Sequence, residues 1–165
     1  MLVVRATKKL LDRLGPVTLQ PGETSTTRLG DWYSTVWAWK PQVVLFVSEA
    51  TLFPVPRPLA PSATLLACFP DHLARALAVH DLPESFVTDE LSRMDDVRPA
   101  KTASRSLLGI MNEFTFLTQA DRSRSEDTDL TALASWLAST PCSSLFKRHG
   151  SPDRELRALA GAAQR

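Results

Sequence analysis

Three residues spaced about one helical turn apart form the most site-like pattern in this chain. They are Arg105, Gly109 and Asn112, within the segment SRSLLGIMNEF at residues 104–114. In a helix these three side chains share one face. Arginine and asparagine make directional hydrogen bonds, and a glycine inside a helix costs about 1 kcal/mol relative to alanine. The glycine indicates that a backbone or a ligand comes close, so the pattern predicts a binding face.

Basic residues form a second candidate group. Lys8 and Lys9 lie on the first predicted helix, and Lys101 and Arg105 lie near the start of the helix described above. If the two segments meet, they form a positive groove that suits a phosphate backbone or an acidic partner. The alternative is a solvated helix face whose charges serve solubility.

The segment LGDWY at 29–33 supplies the remaining candidates, Asp31 and Trp32. Aspartate is among the best helix N-caps, so Asp31 is predicted to cap the following segment rather than to act in catalysis. Four aromatic residues lie within eight positions and suit either a base-stacking platform or a core. We expect Trp32 and Trp37 in the core and leave Tyr33 and Trp39 open.

Sequence motifs for common chemistries are absent. The chain has no phosphate-loop, GxGxxG, HExxH, GxSxG or CxxC pattern. His72 and His80 lie eight positions apart, too far for a chelating pair on one helix, so we predict no metal site and no cofactor. Cys142, followed by two serines and by His149, is the one place where a nucleophile and a base are close in sequence; we interpret it as a loop.

Composition predicts one globular domain over residues 1–165. Hydrophobic residues make up 44%, charged residues make up 22%, and the net charge is +1. That balance excludes a chain that binds nucleic acid through bulk charge alone. Cys68 and Cys142 are predicted to be buried free thiols. The chain shows neither a signal-peptide pattern at its beginning nor a membrane-spanning apolar run, so we expect a cytoplasmic protein that does not cross a membrane.

The first half of the chain predicts a short strand at 2–4, a helix after Thr7 that ends at Gly15, and a polar loop at 16–28. Residues 29–40 have helical spacing, although their aromatic and β-branched content also suits a strand. The apolar run at 42–48 predicts a strand that is covered on both faces. It forms a hairpin with residues 51–56, whose prolines predict an edge strand.

The second half is predicted to be mainly helical. Helices are expected at 70–82, 84–94, 103–120 and 130–137, and from Ser151 to about Ala160, with an alternative short strand at 63–69. Residues 81–98 are predicted to form a solvated acidic face, 121–127 a charged loop, and 161–165 a frayed tail. The predicted class is α+β, a small sheet with a central hairpin in the N-terminal half that is packed by a helical C-terminal half.

Four blocks of the sequence together resemble a known family. They are TKKLL at 7–11, LGDWY at 29–33, LFVSEATL at 45–52 and SRSLLGIMNEF at 104–114. In this order they resemble a family of small bacterial and archaeal proteins catalogued as a domain of unknown function, over roughly residues 1–145. The resemblance implies no activity. It points to Asp31, Trp32, Arg105, Gly109 and Asn112, whereas the loop at 16–28 and the segment 147–165 are less typical of the family.

Three functions are compatible with these features. The first is a binding or regulatory module for a protein or nucleic-acid partner, through Lys8, Lys9, Lys101, Arg105 and Asn112. The second is a metal-independent enzyme, such as a small nuclease or transferase, with Arg105 stabilising an anion and Glu113 or Asp31 as general base. The third is a structural subunit that forms a homodimer through the edge of the 42–56 hairpin.

Overall fold

The computed structural model describes residues 1–122 and 128–163 of the chain. It contains five strands: β1 (Leu2–Ala6), β2 (Trp32–Trp37), β3 (Val43–Ser48), β4 (Pro54–Pro58) and β5 (Val97–Lys101). Its helices within these ranges are α1 (Lys8–Leu14), α2 (Phe69–Ala78), α3 (Glu84–Ser92), α4 (Arg105–Arg122), α5 (Leu130–Ser139) and α6 (Pro152–Ala162). The predicted α+β class is confirmed, with a helical C-terminal half.

The five strands form one mixed sheet in the order β4-β3-β2-β1-β5. The part formed by β2, β1 and β5 is parallel: β1 pairs with β2 on one side and with β5, the edge strand, on the other. Ala6, the last residue of β1, lies opposite Ser34 of β2 and opposite Lys101 of β5. The other two strands are antiparallel and form the predicted hairpin β3–β4.

Each face of the sheet carries its own hydrophobic core. The first core is covered by α1, α2, α3 and α6, and its sheet residues include Leu2, Val4, Ala6, Trp32, Val44, Phe46 and Val55. The second core is covered by α4 and α5, and its sheet residues include Tyr33, Trp37, Val43, Leu45 and Val47. Since both faces are buried, β3 is apolar at nearly every position, as its sequence predicted.

Helix α5 covers the edge of the sheet at β4. Its Leu133 and Leu137 belong to the second core, whereas Ala138 belongs to the first, so the helix lies along the edge where the two faces meet. The position of β4 at an edge confirms the prediction from its prolines. The homodimer predicted through this hairpin edge is not supported, because a second copy could add a strand there only by displacing α5.

The segment 29–40 contains a strand, not the predicted helix. Residues 32–37 form β2, with Trp32 in the first core and Tyr33 in the second. A strand buried on both faces carries large apolar residues at odd and even positions, and that pattern resembles helical spacing. The aromatic and β-branched residues of this segment indicated its structure better than the spacing of its apolar residues did.

The structure differs from the sequence-based expectations at four further places. Residues 63–69 contain no strand: a single turn of 3-10 helix (Ser62–Thr64) precedes α2. The strand β5 was not predicted, since its sequence VRPAK has no apolar run. The predicted loop at 121–127 lies only partly within the described residues, because α4 continues to Arg122 and residues 123–127 lie outside them. Similarly, α6 continues to Ala162 where a frayed tail was predicted, and residues 164–165 lie outside.

Glu90 corrects the prediction that residues 81–98 form a solvated acidic face. Its side chain is fully buried in α3. The two carboxylate oxygens accept hydrogen bonds from the backbone N–H groups of Arg28 (2.8 Å) and Leu29 (3.0 Å). Burial raises the pKa of Glu90, and these two backbone donors oppose that rise. Glu90 therefore fastens the end of the 16–28 loop to α3.

The variant Glu90→Gln tests this burial through pH. Because burial raises the pKa of Glu90 above the usual 4.5, the folded protein holds this proton more tightly than the unfolded chain does. The contribution of Glu90 to the free energy of unfolding therefore falls as the pH rises from about 4.5 through the raised pKa. We expect the difference in unfolding free energy, wild type minus variant, to fall over this range in urea titrations. A difference that rises with pH would contradict the account.

Candidate functional site

The helices that follow β1 and β5 lie on opposite faces of the sheet. β1 continues into α1, whose Leu10 enters the first core, and β5 continues into α4, whose Met111 and Phe114 enter the second core. Since β1 and β5 are parallel neighbours, the chain leaves both at the same edge and then diverges. In open sheets with helices on both faces, ligands bind outside the carboxyl ends of strands where the connections diverge in this way.

This edge brings together four of the predicted basic residues. Lys101 lies beside Ala6 in the sheet, Lys8 follows two residues after Ala6, and Arg105 begins α4. We call Lys8, Lys9, Lys101 and Arg105 the cationic rim; all four are exposed. Lys8 pairs with Asp12 at 3.1 Å. Within the described residues, no ion pair involves the other three, whereas carboxylates pair with many arginines elsewhere: Arg5, Arg28, Arg93, Arg98, Arg148 and Arg157.

The outer face of α4 continues from the cationic rim. Arg105, Gly109 and Asn112 are exposed, while Leu107, Ile110, Met111 and Phe114 are buried, so the predicted separation of the two faces is confirmed. A Cβ added at Gly109 would meet no atom within 4 Å. Packing within the described chain therefore does not require this glycine, and its effect is to leave a shallow, open strip between Arg105 and Asn112.

An ion pair beneath the rim joins three strands. The Nε atom of Arg5 donates to Asp31 Oδ2 at 2.5 Å, and Arg5 Nη1 donates to the carbonyl oxygen of Lys101 at 3.2 Å. The other carboxylate oxygen of Asp31 accepts the backbone N–H of Ser25 at 3.3 Å. Asp31 was predicted to cap a helix, but it precedes strand β2. Its role is to hold Arg5, which in turn holds the end of β5.

Gly30 allows this part of the chain to approach the β3–β4 turn. Its φ is +73°, and an added Cβ would lie 3.3 Å from both Cβ and Oε2 of Glu49. The same Oε2 accepts the backbone N–H of Asp31 at 3.3 Å, and the backbone N–H of Glu49 donates to the carbonyl oxygen of Asp31. The sequence did not indicate this role of Glu49, because its partners come from a segment 18 positions away.

Tyr33 links this network to the start of α4. Its ring is buried in the second core, and the backbone of Ala103, which lies near its hydroxyl, acts to lower its pKa. Burial is the main cause that raises the pKa of Tyr33, followed by the negative charge of Glu49, while Arg5 opposes the rise. Arg5, Tyr33 and Glu49 are the residues of this site that sequence reasoning did not select.

The aromatic cluster belongs to the core. Trp32 is fully buried and packs edge-on against Phe69, with ring centroids 5.1 Å apart. Trp37 stacks on Trp39 at 4.7 Å and donates through Nε1 to Thr115 at 2.8 Å. The prediction of core positions for Trp32 and Trp37 is confirmed. Trp32 was also selected for partner binding, but its buried position leaves no surface that a partner can contact.

The Cys142–His149 segment is a structural connection. Cys142 is fully buried, and burial, followed by the charge of Glu113, raises the pKa of its thiol to about 11. His149 Nδ1 instead lies 3.0 Å from Oε1 of Glu155, whose Oε2 pairs with Arg148 at 2.7 Å. Among the described residues, no group of three or more His, Cys, Asp or Glu side chains is placed to hold a metal ion.

Comparison with protein families gives one match. The family described as Domain of unknown function (DUF6933) matches residues 3–155 of the chain. The chain belongs to this family. The resemblance drawn from the four sequence blocks is thereby confirmed, and the match includes the loop at 16–28, which appeared less typical of the family. Neither the curated proteins nor the solved structures give a match.

The blocks that carry the family resemblance converge on one part of the fold. TKKLL forms the β1–α1 connection at Thr7 and the first part of α1, LGDWY carries Asp31 and Tyr33, and SRSLLGIMNEF forms the first part of α4. LFVSEATL supplies Glu49.

In the part of the chain that the structure describes, no helix is both long and apolar enough to cross a membrane.

The variant Asp31→Asn tests the ion pair at the centre of this network. The Arg5 and Asp31 side chains are 19% and 9% exposed, so the variant leaves a mostly buried guanidinium without its carboxylate. We expect the free energy of unfolding to fall by about 2 kcal/mol in urea titrations. The matched control is Asp12→Asn, which removes an exposed pair and should change it by less than about 0.5 kcal/mol. Equal effects of the two variants would contradict a structural role for Asp31.

Proposed function

We propose that this chain is a binding module that holds the phosphate backbone of a nucleic acid on its cationic rim. The observation that carries the proposal is a set of cations, Lys9, Lys101 and Arg105, that form no ion pair within the described residues and lie at the edge where α1 and α4 diverge. Exposed like charges at one edge repel one another, and a polyanion relieves that repulsion. Such binding also releases condensed counterions, which favours it at low salt.

The exposed face of α4 supports the same partner. The open strip at Gly109 allows a ligand backbone to lie close to the helix, and Asn112 offers a donor and an acceptor at its far end. Arg105 presents a planar guanidinium that suits bidentate contact with phosphate. In complexes with nucleic acids, cations contact the phosphate backbone, and directional polar groups contact the bases. The cationic rim and Asn112 on α4 correspond to these two kinds of contact.

The contacts of the candidate carboxylates favour binding over catalysis. Both oxygens of Asp31 are engaged, by Arg5 and by the backbone of Ser25. Glu113 follows Asn112 directly on α4, so it is turned about 100° around the helix from the face of Arg105 and Asn112. A general base beside Arg105 is therefore not supported. The proposal includes a cytoplasmic location, where Cys68 and Cys142, both free, would remain reduced.

Charge reversal at the rim tests the proposal. The double variant Lys101→Glu, Arg105→Glu should weaken binding of a fluorescein-labelled, mixed-sequence single-stranded RNA by about tenfold or more, measured by anisotropy at low salt. The slope of log affinity against log salt should decrease by about 0.7 for each phosphate that the variant no longer neutralises. The matched control is Lys147→Glu, Arg154→Glu, which changes two exposed cations outside the rim and alters the net charge equally.

Two results would overturn the proposal. Equal weakening by both double variants would mean that only the overall charge matters. In the second result, the wild-type protein does not bind RNA but binds polyglutamate, and only the rim variant loses that binding. This result would assign the rim to an acidic protein partner instead. Circular dichroism of each variant verifies that the fold is retained.

A further inference from the structure

A cavity of about 320 Å³ lies between β4, α2 and α5, away from the cationic rim. Its walls are partly apolar: Phe53 and Val55 from the hairpin, Val79 beyond the end of α2, and Leu130 and Ala134 from α5. Val79 is exposed, so the cavity communicates with solvent. The volume is at the lower end of the range of about 300–1,000 Å³ that is typical of small-molecule sites.

Two arginines line this apolar cavity without a counter-ion. Arg57 projects from β4 and Arg75 from α2. Arg57 Nη2 donates to the carbonyl oxygen of His72 at 3.1 Å, but its Nε is buried and has no hydrogen-bond partner. Among the described residues, neither arginine forms an ion pair, and no aspartate or glutamate lines the cavity. A half-buried guanidinium without an anion is costly.

The two guanidinium groups also act on each other. Burial lowers the pKa of Arg57, and the positive charge of Arg75 lowers it further. The other polar side chains in the wall are Thr131, Ser135 and His80, and the His80 ring packs edge-on against Phe53 with centroids 4.9 Å apart. Burial, followed by the charge of Arg157, lowers the pKa of His80, so this imidazole is neutral at neutral pH and can donate or accept one hydrogen bond. An anion in the cavity would therefore relieve the repulsion between two cations.

We propose that this cavity binds a small organic carboxylate with an apolar body, whose carboxylate lies between Arg57 and Arg75. The planar guanidinium forks match a carboxylate in geometry. The hydrocarbon part of the ligand fits the walls formed by Val55, Leu130 and Ala134, where it would be removed from water. The volume restricts the ligand to a single ring or a short branched chain.

Binding of benzoate to the full chain tests this proposal, with benzamide as the neutral probe of equal shape. We expect benzoate to raise the melting temperature and to shift the methyl NMR signals of Val79 and Leu130, and benzamide to do neither at equal concentration. The variant Arg75→Met should weaken benzoate binding at least tenfold, whereas Arg154→Met, at an exposed arginine outside the cavity, should not change it. Arg75 is exposed on α2, so its substitution should not prevent folding.

A second variant distinguishes binding of benzoate in the cavity from binding to surface charge. Ala134→Leu places a larger side chain in the wall without changing charge and should also abolish the methyl shifts. Equal binding of benzoate and benzamide, unchanged benzoate binding in Arg75→Met, or no methyl shifts at millimolar benzoate would each overturn the proposal. These readouts do not involve RNA, so they are independent of the function proposed for the cationic rim.

Discussion

The parallel pairing of β1 with strands on both sides is the constraint on which the rest of this structure depends. Ala6 lies opposite Lys101 on one side and Ser34 on the other, so three segments far apart in sequence meet at one edge. Because α1 and α4 leave that edge toward opposite faces, both faces of the sheet are buried. The basic residues of the two connections come together at the same edge. Arg5 secures the arrangement, since it contacts both Asp31 and the end of β5.

Local patterns were sufficient for part of this fold. The prolines of β4 predicted an edge strand, and the spacing of apolar residues predicted the buried face of α4. The prediction for β2 was wrong because its two buried faces disguise the strand period. Contacts between residues that are far apart in the sequence could not be predicted from local patterns. Nothing near Glu90 in the sequence indicates that its carboxylate binds the backbone of residues 28–29. For the same reason the sequence did not indicate that Arg5 pairs with Asp31, which lies 26 positions away.

The two proposed sites use positive charge in different ways. At the cationic rim, exposed side chains act through water, so each contact is weak and depends on salt. In the cavity, Arg57 is half-buried beside apolar walls, so water would screen an anion between Arg57 and Arg75 less than one at the rim. Neither site was evident as a motif, because one is assembled by strand pairing and the other by the packing of α2 and α5 against β4.

The most direct test of this account is a two-dimensional NMR titration of the full chain with a short, mixed-sequence single-stranded RNA. The amide signals of Lys8, Lys9, Lys101, Arg105 and Asn112 should shift together and saturate at one equivalent of RNA, while those around Lys147 and Arg154 should stay in place. Such a result would show that the divergence of α1 and α4 creates a single binding edge. Shifts spread over all exposed basic residues, or confined to the opposite end of the sheet, would contradict it.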